Sequence, residues 1–74
     1  MNTLISVLLY IGAITTNIEY TESEIIQIES QNQSTVDLIE SNPRQLDKAI
    51  NYSDELKIEI LTGDKFIVTG NIEW

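Results

Sequence analysis

The 74-residue chain carries twelve Asp and Glu against four Lys and Arg, a formal net charge of −8, and has neither Cys nor His. Disulfide bracing, thiol catalysis, Ser-His-Asp catalysis and zinc held by Cys or His are therefore excluded. The sign of the charge also disfavours direct contact with DNA, RNA or an anionic membrane, because a nucleic-acid binder neutralises phosphates with Lys and Arg.

Residues 3–11 (TLISVLLYI) hold β-branched and aromatic residues with no polar stripe of helical period. They read as a buried strand, with a short helix as the rival. The apolar run from Leu4 to Ile14, interrupted by Ser6 and Gly12, is shorter than the roughly 20 residues that cross a bilayer as a helix. No Lys or Arg precedes Arg44, so the positive flank of a signal peptide is missing. The expectation is a soluble, cytoplasmic protein that makes no membrane contact. Gly12 marks a turn. Residues 14–20 (ITTNIEY) read as a second strand, with Ile14, Ile18 and Tyr20 on one face, forming an antiparallel hairpin with the first. After a polar break at 21–23, residues 24–29 (EIIQIE) read as a third short strand with Ile26 and Ile28 inward, and residues 30–34 as a loop.

Ser34 followed by Asp37 has capping-box spacing, and Asn42 with Gln45 repeats it just ahead of Pro43. Two short helices are expected, at about 35–41 and 43–51. Val36 and Ile39 would face the core from the first, and Leu46, Ala49 and Ile50 from the second. In the last third, Leu56, Ile58 and Ile60 alternate with Lys57 and Glu59. Gly63-Asp64 suits a two-residue type II′ turn. That turn pairs Ile60 with Ile67 on the core face, and Leu61 with Phe66 on the other. The whole reads as a single α+β domain, residues 1–74: a small antiparallel sheet in the order β-β-β-α-α-β-β, with one or two short helices on one face. A core this small is marginal by itself, and self-association is the support left open to it. A homodimer is expected, with Leu61, Phe66, Val68 and Trp74 as its apolar contacts.

The charge is unevenly placed. Residues 1–43 contain Glu19, Glu22, Glu24, Glu29, Asp37 and Glu40 and no Lys or Arg; all four bases lie in residues 44–74. Ordinary soluble surfaces intersperse both signs. No chemistry competes for these acids: the three glycines are isolated, so no phosphate loop exists, and the alternating pattern of an EF-hand is absent. No enzyme activity and no cofactor are expected. An acidic, base-free half repels nucleic acid and attracts basic protein surfaces. Carboxylates two apart on a strand point the same way about 6.6 Å apart, and those three apart on a helix are surface neighbours, intervals comparable with the spacing of phosphates along DNA. Glu22 with Glu24, and Asp37 with Glu40, have those spacings. The six carboxylates of residues 19–40 are thus candidates for phosphate mimicry. Asp37 has a competing role as a helix cap, and Glu40 as an i, i+4 partner of Arg44.

In length, charge, lack of Cys and His, and richness in Ile, Asn and Glu, the chain resembles the small early proteins of phages of low-GC Gram-positive bacteria. Some of these are DNA-mimic inhibitors of host proteins, and one type fills the DNA channel of the DNA-polymerase sliding clamp. The resemblance implies a non-enzymatic phage inhibitor acting in the host cytoplasm on a basic DNA-binding protein, with the clamp as preferred target. Gln33-Ser34-Thr35-Val36-Asp37-Leu38-Ile39 loosely echoes a clamp-groove peptide without its aromatic pair, so the channel is the expected site. The alternative is a structural or adaptor module that binds protein through apolar surface around Phe66 and Trp74.

Overall fold

Residues Thr3–Tyr10 form a helix, α1, in place of the expected strand. The computed structural model describes residues 2–70, in the order α1, β1 (Glu19–Thr21), α2 (Glu22–Gln31), α3 (Gln33–Ser41), α4 (Pro43–Tyr52), β2 (Lys57–Ile60) and β3 (Lys65–Thr69). The α+β class is as expected, but the element order α-β-α-α-α-β-β replaces β-β-β-α-α-β-β. The absence of a polar stripe in residues 3–11 reflects burial all round: Ile5, Ser6, Val7, Leu8 and Leu9 are consecutive and all buried. A helix covered on every side has no amphipathic period to read. The amide of Leu4 donates to Asn2 Oδ1 at 2.8 Å and starts the helix.

Gly12 ends α1, so the turn expected there is a helix cap and no hairpin forms. Its φ is +77°, and the Ala13 and Gly12 amides donate back to the carbonyls of Leu8 and Leu9 at 2.9 and 3.1 Å. This is the Schellman arrangement, with glycine at the left-handed position. Of the strand expected over residues 14–20, only Glu19–Thr21 is extended. Its partner is β3, far along the chain, with Glu19 opposite Ile67, Tyr20 opposite Phe66 and Thr21 opposite Lys65. Asn17, at φ +63°, donates its amide to Val68 O at 2.8 Å and leads the chain onto that edge.

The third expected strand is helix α2, and the expected loop at 30–34 is mostly helical. Thr21 and Glu24 form a reciprocal capping box: Glu24 N donates to Thr21 Oγ1 at 3.1 Å, and Thr21 N to Glu24 Oε1 at 3.0 Å. That local bonding outweighs the strand preference of the Ile-rich run. Helix α3 begins at Gln33 with Asn32 as its N-cap, so Ser34 lies inside the first turn and is not the cap. Helix α4 is capped as expected, with Asn42 Oδ1 accepting from the amides of Arg44 and Gln45 and Pro43 at the first position. The reciprocal half of that box is not made. The Gln45 side chain accepts instead from Tyr10 Oη at 3.1 Å. Ser53 Oγ donates to Ser6 Oγ at 2.6 Å, in the interior. Ser6 against Ser53 and Tyr10 against Gln45 set α1 and α4 antiparallel.

The sheet is antiparallel, with β3 between β1 and β2. Ile60 pairs with Phe66 and Glu59 with Ile67, one residue out of the expected register. The loop is one residue longer than expected: Leu61 N donates to Lys65 O and Lys65 N to Thr62 O, with Gly63 at φ +63°. A one-residue slip moves a strand's side chains to the other face. Here it turns Phe66 and Val68 inward beside Ile58, and Val68 is fully buried. Ile67 takes the outer face. The core joins α1 to Ile14, Ile25, Val36, Ala49, Leu56 and Val68. Val36 and Ala49 are buried as expected and Ile39 and Leu46 pack beside them, whereas Ile50 is exposed and Tyr52 packs in its place.

An alanine at Gly12 meets no atom within 4 Å, so its cost is purely conformational. Gly12→Ala is expected to lower unfolding free energy by about 1–2 kcal/mol, and Gly12→Asn by less, as measured by urea denaturation.

Candidate functional site

The six carboxylates proposed as phosphate mimics fall into separate sets. Glu19 stands on the outer face of the sheet opposite Ile67, whose other neighbour across the ladder is Glu59. The two acids therefore flank Ile67, about 10 Å apart across two strand spacings. Lys57 and Lys65 share this face through the same alternation, so the sheet surface is mixed in sign. Glu22 and Glu24 are not a strand pair. In α2 they point about 200° apart around the helix axis, on either side of the stripe that buries Ile25. Glu24 is also committed to the cap of its own helix. Glu29, seven residues after Glu22, returns to that residue's side and is half-buried. On α3, Asp37 and Glu40 lie one turn apart on one side and both are exposed. Gln33 Nε2 donates to Asp37 Oδ1 at 2.9 Å, so Asp37 is braced along the helix and does not cap it.

Five of the six acids thus sit on α2 and α3, two consecutive helices without a base. The four bases are confined to α4, β2 and β3. The chain breaks at Asn42 between α3 and α4, so Glu40 and Arg44 lie on different helices and the expected i, i+4 pair is not formed. Among the described residues no carboxylate is neutralised by an ion pair with Lys or Arg. Nor do any three Asp or Glu of the described residues converge as a metal-binding group. No helix among the described residues is long and apolar enough to cross a membrane.

A second surface feature was not foreseen. A groove of about 450 Å³ runs between the start of α1, the start of α2 and the β2–β3 hairpin. Leu4 and Ile5, Ile25 and Ile26, and Ile58, Ile60 and Phe66 line it, and the exposed Glu22 and Asp64 add carboxylates to the lining. Ile25 turns into the core. Ile26, 100° further around the helix, is left 59% exposed, and Ile60 is 72% exposed. The TESE run at residues 21–24 is the sequence feature that places this helix, because it fixes where α2 begins and so which isoleucine stays outside.

Of the apolar contacts expected to join two copies, Val68 is buried within its own chain and Phe66 is half-buried against Tyr20, their rings 6.5 Å apart. Val68 therefore presents no surface to a partner. Leu61 is exposed. Trp74 lies outside the described residues. Comparison of the chain with protein-family models, with curated proteins and with solved structures finds no match.

The double duty of Glu24 separates capping from charge. Thr21→Ala, which removes the hydroxyl acceptor, is expected to cost about 1 kcal/mol of stability. Glu24→Gln keeps a capping side chain and should change stability by less than about 0.5 kcal/mol, read from the midpoints of denaturant unfolding.

Proposed function

We propose that this chain acts without catalysis, as an inhibitor whose acidic, base-free half binds a basic DNA-binding surface of a host protein. Its carboxylates stand in for phosphates and block access of DNA. The preferred target is the DNA-binding channel of a bacterial DNA-polymerase sliding clamp, met in the host cytoplasm. The observation that carries this reading is the placement of Glu22, Glu24, Glu29, Asp37 and Glu40 on two helices without a compensating Lys or Arg. Uncompensated charge of one sign steers association with a surface of the other. Asp37 and Glu40 are the central pair. Their rise along the helix is about 4.5 Å, close to the phosphate rise on a DNA strand, and Gln33 holds one of them in place.

The test is titration of the chain against a purified bacterial sliding clamp at low and at moderate salt, with and without competing duplex DNA. Affinity is expected to fall at least about tenfold between 50 and 300 mM salt. Asp37→Lys with Glu40→Lys should weaken it by a similar factor, and duplex DNA should displace the chain. Binding that ignores both salt and charge reversal, or no binding, ends the reading.

The groove favours a second reading, in which an apolar contact supplies the affinity. Its occupant would be a cationic segment of a partner protein that inserts an apolar side chain between Ile26 and Ile60, since Glu22 and Asp64 supply the complementary charge. Ile26→Glu lies outside the core and would block that insertion. In the same clamp titration it should abolish binding under this reading, and leave it unchanged if the carboxylates of α3 carry the contact.

A further inference from the structure

Among the described residues β2 is an edge strand, because β3 is its neighbour on one side only. Which of its backbone groups face the open edge follows from the ladder. Leu61 N donates to Lys65 O, and hydrogen-bonded pairs alternate along an antiparallel ladder. The Glu59–Ile67 and Lys57–Thr69 pairs therefore turn their N–H and C=O groups toward β3. Those of Ile58 and Ile60 point away from it. An unpaired row of this kind is a template for another strand.

The side chains say which strand fits. We propose that β2 pairs antiparallel with β2 of a second copy of this chain, across a twofold axis at Ile58, joining two three-stranded sheets into one of six. In that register Ile58 of each copy exchanges both backbone bonds with Ile58 of the other. Lys57 then lies directly opposite Glu59 of the second copy, and Glu59 opposite its Lys57, giving two cross-strand pairs of opposite charge. On the inner face Ile60, 72% exposed in one chain, comes opposite Leu56 of the second copy. The Ile60 amide donates to that leucine's carbonyl. The Leu56 amide takes no part, since it is already bonded to Ser53 O at 3.0 Å.

Neighbouring registers are worse. Centring the pair on Glu59 sets two carboxylates face to face. Any register that matches odd with even residues turns the isoleucines of one copy to the charged face of the other. The sequence Lys57-Ile58-Glu59-Ile60 is thus self-complementary in one register, and the charge match selects a second copy over an unrelated strand. The pairing uses neither α2 nor α3, so it stands apart from the proposed contact of their carboxylates with a basic protein, whereas it shares Ile60 with the groove. It also fits a 74-residue chain, for which association is a common source of extra stability.

Sedimentation equilibrium over a range of concentrations tests this. The wild type should dimerise. Lys57→Glu and Glu59→Lys, both at exposed positions, should each weaken dimerisation about tenfold or more, since two attractive pairs become two repulsive ones. The double variant carrying both changes should recover it. A mixture of the two single variants should form a heterodimer, because each offers the charge the other lacks. Circular dichroism of each variant confirms an unchanged monomer fold. A wild type that stays monomeric at millimolar concentration overturns the proposal. So does a dimer that ignores the single swaps, or one that the double variant fails to restore.

Discussion

Helix α1 has no solvent face to spare, and the rest of the molecule is arranged to cover it. Five consecutive buried residues can be sheltered only if other elements close on the helix from several sides. Helix α4 takes one side, through Ser53 against Ser6 and through Tyr10, which bonds Gln45 and meets the Tyr52 ring edge-on at 5.8 Å. Val36 of α3 and Ile25 of α2 pack into the same core, as does Val68 from the centre of the sheet. The Ser6–Ser53 bond satisfies the two buried hydroxyls within an otherwise apolar interior, and leaves no buried side-chain polar atom unpaired among the described residues. Ser53 Oγ also lies 3.3 Å from the carbonyls of Ala49 and Ile50, so it keeps an acceptor within its own helix.

The same constraint explains the division of the surface. The sheet turns one face to the core and the other, carrying Glu19, Lys57, Glu59 and Lys65 around Ile67, to solvent, as antiparallel sheets commonly do. The helices that cover the core expose neutral or acidic residues: Ser23, Gln27 and Ser30 on α2, Asp37 and Glu40 on α3. Basic residues enter only once the chain has reached α4. The uneven charge along the sequence therefore becomes an uneven charge between elements, and the proposed contact with a basic surface draws on that segregation. The segregation is coarser than a row of evenly spaced phosphates. Glu24 is held by its cap, and Glu22 and Glu29 lie along one side of α2 at roughly twice the spacing of a helical turn.

Sequence and structure agree at the start of α4 and in the last two strands, and disagree most where tertiary burial or an unread cap decides. The cap at Asn42 and Pro43 is made as short-range chemistry predicts, and Gly12 and Gly63 both take the left-handed backbone of a turn, although Gly12 ends a helix and the loop at Gly63 is one residue longer than expected. The strand reading of residues 3–11 fails because full burial erases helical periodicity, and β-branched residues are tolerated in a helix once packing compensates. Residues 24–29 fail for a different reason: the capping box sits at Thr21–Glu24, upstream of the isoleucines, and starts a helix where the sequence reading has only a polar break. The hairpin register turned on a single loop residue, which two inward apolar side chains, Phe66 and Val68, outweighed. For the candidate site, the base-free stretch was plain in the sequence. Its geometry was not, because a strand and a helix send Glu22 and Glu24 in different directions. The groove at Ile26 and Ile60 was hidden for the same reason.

The order in which the elements are made gives α1 a further significance. Translation adds residues at about 5–20 per second, so the most apolar element leaves the ribosome before any of its covering. The cover is complete only when β3 arrives, some sixty residues later. Until then the largely apolar helix is covered only in part, as α2, α3 and α4 emerge in turn. During those seconds the apolar residues of α1 are open to chaperones and to aggregation, because the last of their cover, Val68, is among the last residues of the core to be made.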